Sequence, residues 1–168
     1  MLPPSSALVV GLVAASGVTS ALVDLACRRV PNPLTLSIAA LGVALAAAHA
    51  TGVGVAQAFG GLAVGLLLML PGFAIGATGG GDVKLFAALG TMLGPTRTGV
   101  AFLYTALVGA ALALAMAWRR QQLATTIERA AALAGGAAAG DIEHPARHNR
   151  FAYAPAIALG ALAAALGL

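Results

Sequence analysis

Fifty consecutive residues, Asn32 to Gly81, carry no formal charge. A water-facing surface cannot be built from such a stretch. Ordinary soluble domains carry about 25% charged residues. This chain carries 8%, with 60% hydrophobic residues and a mean hydropathy of +0.96. The expected solvent is therefore the bilayer. There are 22 glycines, and aromatics make up 5% of the chain. Small residues let membrane helices approach closely where apolar burial gives no drive. The expected fold class is all-α: a polytopic membrane helical bundle, one domain over the 168 residues. The net charge of +4 then reports orientation and not a nucleic-acid partner. The single cysteine, Cys27, excludes an internal disulfide and a multi-cysteine zinc site.

Charges and helix breakers divide the chain into about six spans. A span needs roughly 20 apolar residues at about 1.5 Å rise each. The first runs over about 6–23 and closes at Arg28-Arg29. It has no basic n-region before it and no small-residue cleavage site after it, so it reads as a retained helix. Pro31 and Pro33 predict an extended or turning linker. The break at His49-Ala50-Thr51-Gly52 separates a second span, about 34–48, from a third, about 55–77, with Pro71 a candidate kink. A short fourth segment, 83–94, ends at Gly94-Pro95, and a fifth covers 98–118. The length of the fourth alone also allows a re-entrant segment. Charge decides otherwise. If it crosses, Arg28, Arg29, Lys84, Arg119, Arg120, Arg129, Arg147 and Arg150 share one side and only Arg97 lies opposite. The positive-inside rule prefers that arrangement. Residues 119–150 form the one polar segment, with Leu123, Ile127, Ala130 and Ala134 at the spacing of a surface helix and 137–149 as a loop. The sixth span is 151–168.

Asp24 and Asp82 are the only acids in the first 127 residues, each at the same edge of a span. An acid beside a membrane span is a functional candidate by default. Asp24 ends its helix, where the macrodipole opposes an anion. Asp82 begins its helix, where dipole and free amides favour one. Environments that pull two carboxylates apart divide acid and base roles between them. Gly79, Gly80 and Gly81 precede Asp82. They lack Cβ, reach unusual dihedrals, and offer main chain for a peptide to pair with as an added strand.

Bland alternatives stand beside each of these. Asp82 can be a helix cap. Asp24 can pair with Arg28 one turn on. Lys84 and the arginines can be lipid-headgroup anchors. His49 fits a solvated loop. His144 and His148, with Asp141 or Glu143, have a metal-like spacing without a helical pattern to support it. Cys27 has no histidine in its stretch to activate it as a nucleophile. A small proton-coupled carrier would use two acids as well, but near the midplane and between inverted repeats.

Two stretches carry a resemblance. Asp24-Leu25-Ala26-Cys27-Arg28-Arg29-Val30-Pro31-Asn32-Pro33-Leu34-Thr35 resembles the first-aspartate motif of the type IV prepilin peptidases, membrane aspartic peptidases of the GxGD type. Gly79-Gly80-Gly81-Asp82-Val83-Lys84-Leu85 is similar to the family's Gly-x-Gly-Asp-x-Lys-Leu motif. Tyr153-Ala154-Pro155 weakly resembles the start of the family's last helix. The resemblance implies an aspartic endopeptidase with Asp24 and Asp82 as its catalytic pair. Gly79, Gly80, Gly81 and Lys84 would form the active-site loop. It implies a multi-pass protein of the bacterial inner membrane with its site at the cytoplasmic face. The partners implied are the bilayer and a prepilin or pseudopilin precursor, whose short basic leader is removed. Neither cofactor nor metal is expected. Without paired CxxC motifs the chain is similar to the peptidase-only branch found with tight-adherence pili, and methyltransferase activity is not expected. A catalytically silent assembly factor of a pilus or secretion system is the rival of the same family.

Overall fold

The computed structural model describes residues 4–27, 31–76, 78–119 and 153–167. All regular structure among them is helical: α1 Pro4–Cys27, α2 Asn32–Ala47, α3 Val55–Ala74, α4 Gly80–Arg119 and α5 Ala154–Leu166. Three helical stretches, Ser6–Ala26, Val55–Ala74 and Gly80–Ala115, are long and apolar enough to cross a membrane; α2 and α5 are shorter apolar helices. The expected surface helix, the His144/His148 cluster and Arg28 as a partner for Asp24 all lie outside the described residues.

α4 is one helix only by hydrogen bonding. Gly94 inside it has φ 74° and ψ 171°, a conformation open to glycine and not to residues with a Cβ. Pro95 follows as the first residue of a new helix, where its missing N–H leaves no bond unmade. The two legs, 80–93 and 95–119, fold back on each other. Phe86 and Phe102 would stand about 24 Å apart along a straight helix. Their ring centroids are 6.2 Å apart, edge to face at 71°. The short segment expected over 83–94 is thus the first arm of a hairpin that turns at Gly94.

That first arm is the centre of the bundle. Every residue from 85 to 94 is buried, and Leu85, Phe86, Leu89 and Met92 are closed off almost completely. α3 packs along α4 most extensively, α5 next and α2 after it, while α1 joins the bundle chiefly through α5. Stripes of small residues make this packing possible. α3 turns Ala58, Gly61, Gly65 and Met69 inward, and α2 turns Thr35, Ile38, Gly42 and Ala46. Gly61 and Gly90 meet backbone to backbone: a Cβ on either would overlap the other's carbonyl. Outside, the distribution is reversed. Val18, Leu22, Leu36, Leu67, Leu103, Leu107 and Trp118 are exposed, while Ser20, Asp24, Thr91, Thr98 and Thr105 are buried.

Two local expectations need correction. The Pro31–Pro33 stretch does not extend as a linker beyond Pro31. α2 begins at Asn32 with Pro31 as its N-cap and Pro33 within the first turn. Proline fits there because first-turn N–H groups have no helical acceptor. α1 continues one turn past the expected edge at residue 23, to Cys27, so Asp24 lies inside the helix.

Candidate active site

Asp24 ends a buried stripe on α1. Val9, Val13, Gly17, Ser20 and Asp24 are all buried and recur at spacings of three and four, one face of a helix. That face meets α5, with Gly17 close against Ala158: a Cβ at Gly17 would stand 2.9 Å from that of Ala158. At the end of the stripe Asp24 is only 6% exposed. Its Oδ2 accepts the N–H of Ala154 at 3.4 Å. Ala154 opens α5. The first N–H groups of a helix lack intrahelical partners and carry partial positive charge, so a carboxylate suits them. One turn below Asp24, the buried Ser20 hydroxyl has no hydrogen-bond partner among the described residues.

Asp82 is seated locally. Gly79 precedes the helix, and Asp82 is the third helical residue of α4. Its Oδ2 accepts the Gly79 N–H at 3.2 Å, while the Asp82 and Val83 N–H groups donate to the Gly79 carbonyl. This is the reach-back half of a capping box. A Cβ on Gly79 would come within 3.0 Å of the same Oδ2, so glycine there leaves the carboxylate its room. Asp82 is half-buried.

The expected glycine loop is therefore smaller than the motif. Gly80, Gly81 and Lys84 belong to the first turns of α4 and only Gly79 lies outside the helix. Positive φ occurs just upstream, at Gly76, and not at Gly79, Gly80 or Gly81. The cause is the cap: Asp82 folding back on Gly79 draws the intervening glycines into helix. No extended edge for an added strand remains at Gly80-Gly81.

One end of the bundle gathers these residues. Asp82 lies twelve residues before the turn at Gly94, and Thr105 and Gly109 lie eleven and fifteen after it. At about 1.5 Å per residue, the folded-back legs bring the three to nearly the same height. There the Tyr153 hydroxyl donates to the Thr105 carbonyl at 3.5 Å. The tyrosine ring lies over Gly109, where a Cβ would come within 2.8 Å of it. Burial pushes the pKa of that hydroxyl up, and the Asp82 charge adds to the rise. Tyr153 immediately precedes Ala154, the residue that holds Asp24. The Lys84 ammonium donates to Asn32 Oδ1 at 3.0 Å, pinning the start of α2 to the start of α4 and joining the two motif stretches. The opposite end holds the turn: Gly94 sits beside Val53 and Gln57, near exposed His49 and Arg97.

Asp24, Asp82, Gly79, Lys84 and Asn32 thus share one end of the molecule. Sequence reading did not pick out Tyr153 and Ala154 as site residues. The proline at 155, just inside a helix start, was the available signal. Two carboxylates in unlike settings, one enclosed between helices and one at an open helix head, form an arrangement suited to general acid–base chemistry. Among the described residues, His, Cys, Asp and Glu do not gather in threes to hold a metal.

A comparison with models of protein families matches residues 9–114 to the type IV leader peptidase family. The match covers 106 of 168 residues and includes Asp24, Asn32, Asp82 and Lys84. The chain belongs to that family of peptidases. No curated protein and no solved structure matches it.

Proposed function

We propose that the protein is a membrane aspartic endopeptidase that cuts the short basic leader from type IV prepilin-like precursors, at the cytoplasmic face of the bacterial inner membrane. Asp24 and Asp82 are its dyad. One carboxyl, protonated, donates to the scissile carbonyl oxygen. The other, ionised, takes a proton from a water between them, and the water oxygen bonds to the carbonyl carbon. The tetrahedral adduct then collapses, the C–N bond breaks, and a proton passes to the leaving amine. The two carboxyls titrate as a pair. No metal or cofactor takes part, and no methyl transfer follows.

The observation that carries this proposal is the shared seat. Asp24 is held by the first N–H of α5, and the residue before that N–H sits at the height of Asp82 and within reach of its charge. The exterior supports the membrane assignment, with leucine and valine outside and serine, threonine and Asp24 inside. The hairpin at Gly94 supports two crossings for α4, hence about six spans with α1, α2, α3 and α5. Arg97 then lies on the side opposite Lys84. The precursor's own apolar helix lies against the apolar outside of the bundle and presents its leader at the carboxylate end. Gly79 and Lys84 line the approach. Lack of CxxC motifs supports the peptidase-only branch of tight-adherence pili.

The test is co-expression with a precursor carrying a basic leader, a glycine and an apolar helix, followed by gel and N-terminal sequencing. Asp24→Asn and Asp82→Asn should each lower cleavage at least about a thousandfold. An asparagine amide oxygen accepts an N–H as a carboxylate oxygen does. Asp82→Asn therefore keeps the Gly79 contact and removes only the titrating group. Equal cleavage by wild type and both variants would exclude the dyad.

A further inference from the structure

Tyr153 and Ala154 lie beyond the stretch matched to the family, and the dyad chemistry assigns them no part. Ala154 supplies the donor to Asp24. Tyr153 is the N-cap residue of α5, yet its side chain caps nothing. Its ring leaves the helix and enters a notch in the second leg of α4, over Gly109, with its hydroxyl on the Thr105 carbonyl. That notch stands at the height of Asp82, on the leg folded against the one that bears it. The ring is thus joined by one peptide unit to the N–H that holds one carboxylate, and is lodged level with the other. The Ala154–Asp24 hydrogen bond is long, at 3.4 Å. A contact at that limit is broken by a small displacement of its donor. Where Asp24 rests therefore depends on where the start of α5 is fixed.

We infer that Tyr153 is a positioning residue: its ring, seated at Gly109, fixes the Ala154 N–H and thereby sets the Asp24 carboxyl opposite Asp82. The catalytic consequence rests on the peptidase proposal; the seat itself does not. Tyr153 takes no part in bond making. It acts through the N–H of the next residue.

The experiment uses the full chain in detergent micelles. Tyr153→Ala should lower kcat for leader cleavage about ten- to a hundredfold, because an ångström of misplacement has effects of that size. KM should stay within about twofold, since the precursor's contacts are untouched. Gly109→Ala pushes the ring from its notch without removing it, and should show the same split. It is the mild variant should Tyr153→Ala fail to fold. Combined with Tyr153→Ala it should add nothing, since the ring it displaces is gone. Tyr153→Phe keeps the ring and should restore the rate to within about threefold of wild type.

Carbon NMR of the Asp24 carboxyl reads the seat without substrate. Its titration midpoint should move in Tyr153→Ala and Gly109→Ala, and stay fixed in Gln57→Ala at the far end of the bundle. If wild type cleaves and Tyr153→Ala keeps its kcat, the inference fails. A midpoint unmoved in both variants overturns it as well. If wild type cleaves no leader but the midpoint still moves, Tyr153 positions Asp24 as inferred, and the peptidase proposal is what falls.

Discussion

The two aspartates are seated in opposite ways. Asp82 is held by its own neighbourhood: Gly79, three residues back, gives the N–H that its carboxylate accepts. Asp24 is held by Ala154, 130 residues further along the chain. One seat forms whenever the first turn of α4 forms. The other exists only once α1 has packed against α5. A local cap is robust but leaves the carboxylate half-open. A seat made by a distant helix encloses the group, and depends on everything that places that helix. One carboxylate thus waits on the packing of two distant helices, and the other on a single turn.

Substitutions at the two seats and at the packing behind them test this contrast. Gly61→Val forces side-chain atoms into the Gly90 carbonyl at the α3–α4 contact. It should destabilise the bundle by about 3 kcal/mol or more, as overpacking without room to relax does. Denaturant titration in micelles reads this directly. A wild-type midpoint would show that the first leg of α4 shifts freely, and that the Asp82 seat is not tied to the core.

Asp24→Ala leaves the Ala154 N–H without its acceptor. A buried donor left unpaired costs about 1–3 kcal/mol. Asp24→Asn keeps an acceptor oxygen and should recover most of the loss. If alanine and asparagine melt alike, the Ala154 contact contributes nothing and the long-range seat is not real.

Asp82→Ala removes the acceptor of the Gly79 N–H, and about 1 kcal/mol of stability should go with that hydrogen bond. Asp82→Asn keeps an acceptor for that N–H and loses only the charge at the helix start, about 0.5 kcal/mol. The contrast predicts that alanine at 24 is the more harmful of the two alanines. The reverse order, measured in the same titration, would make Asp82 the structural member of the pair.

Lys84→Met removes the exposed bond to Asn32. Exposed polar contacts of this kind contribute about 0.5 kcal/mol or less. If Lys84→Met destabilises more than Asp82→Ala does, the bond between α2 and α4 fixes the head of α4, and the cap is secondary.

Much of this was legible in the sequence because its causes are local. Glycine before proline ends a helix and begins another, so the division at Gly94-Pro95 could be read, as could the break after Ala48. The plain alternative to catalysis, a cap by Asp82, is met in part: its carboxylate accepts the Gly79 N–H, but from the third helical position. Position within a helix overrides other local tendencies. A glycine triplet suggested loop, but an acid at the third helical position turned Gly80 and Gly81 into helix. Prolines suggested a linker, but Pro33 falls in the one turn of α2 that tolerates it. Each error took a residue's average tendency for its behaviour at a particular position in a helix.

The sequence by itself determined that this chain makes apolar helices, where most of them break, and that two carboxylates stand at the ends of their runs. Those facts follow from charge, from the fixed φ of proline and from glycine's missing Cβ, all of which act within a few residues. The tertiary structure alone decided that the first leg of α4 is the buried centre and that Asp24 faces α5. It alone placed Tyr153 in the notch at Gly109. Such contacts depend on which small-residue stripes meet. Many glycine and alanine stripes in this chain are equivalent by composition, and only the packed bundle chooses among them.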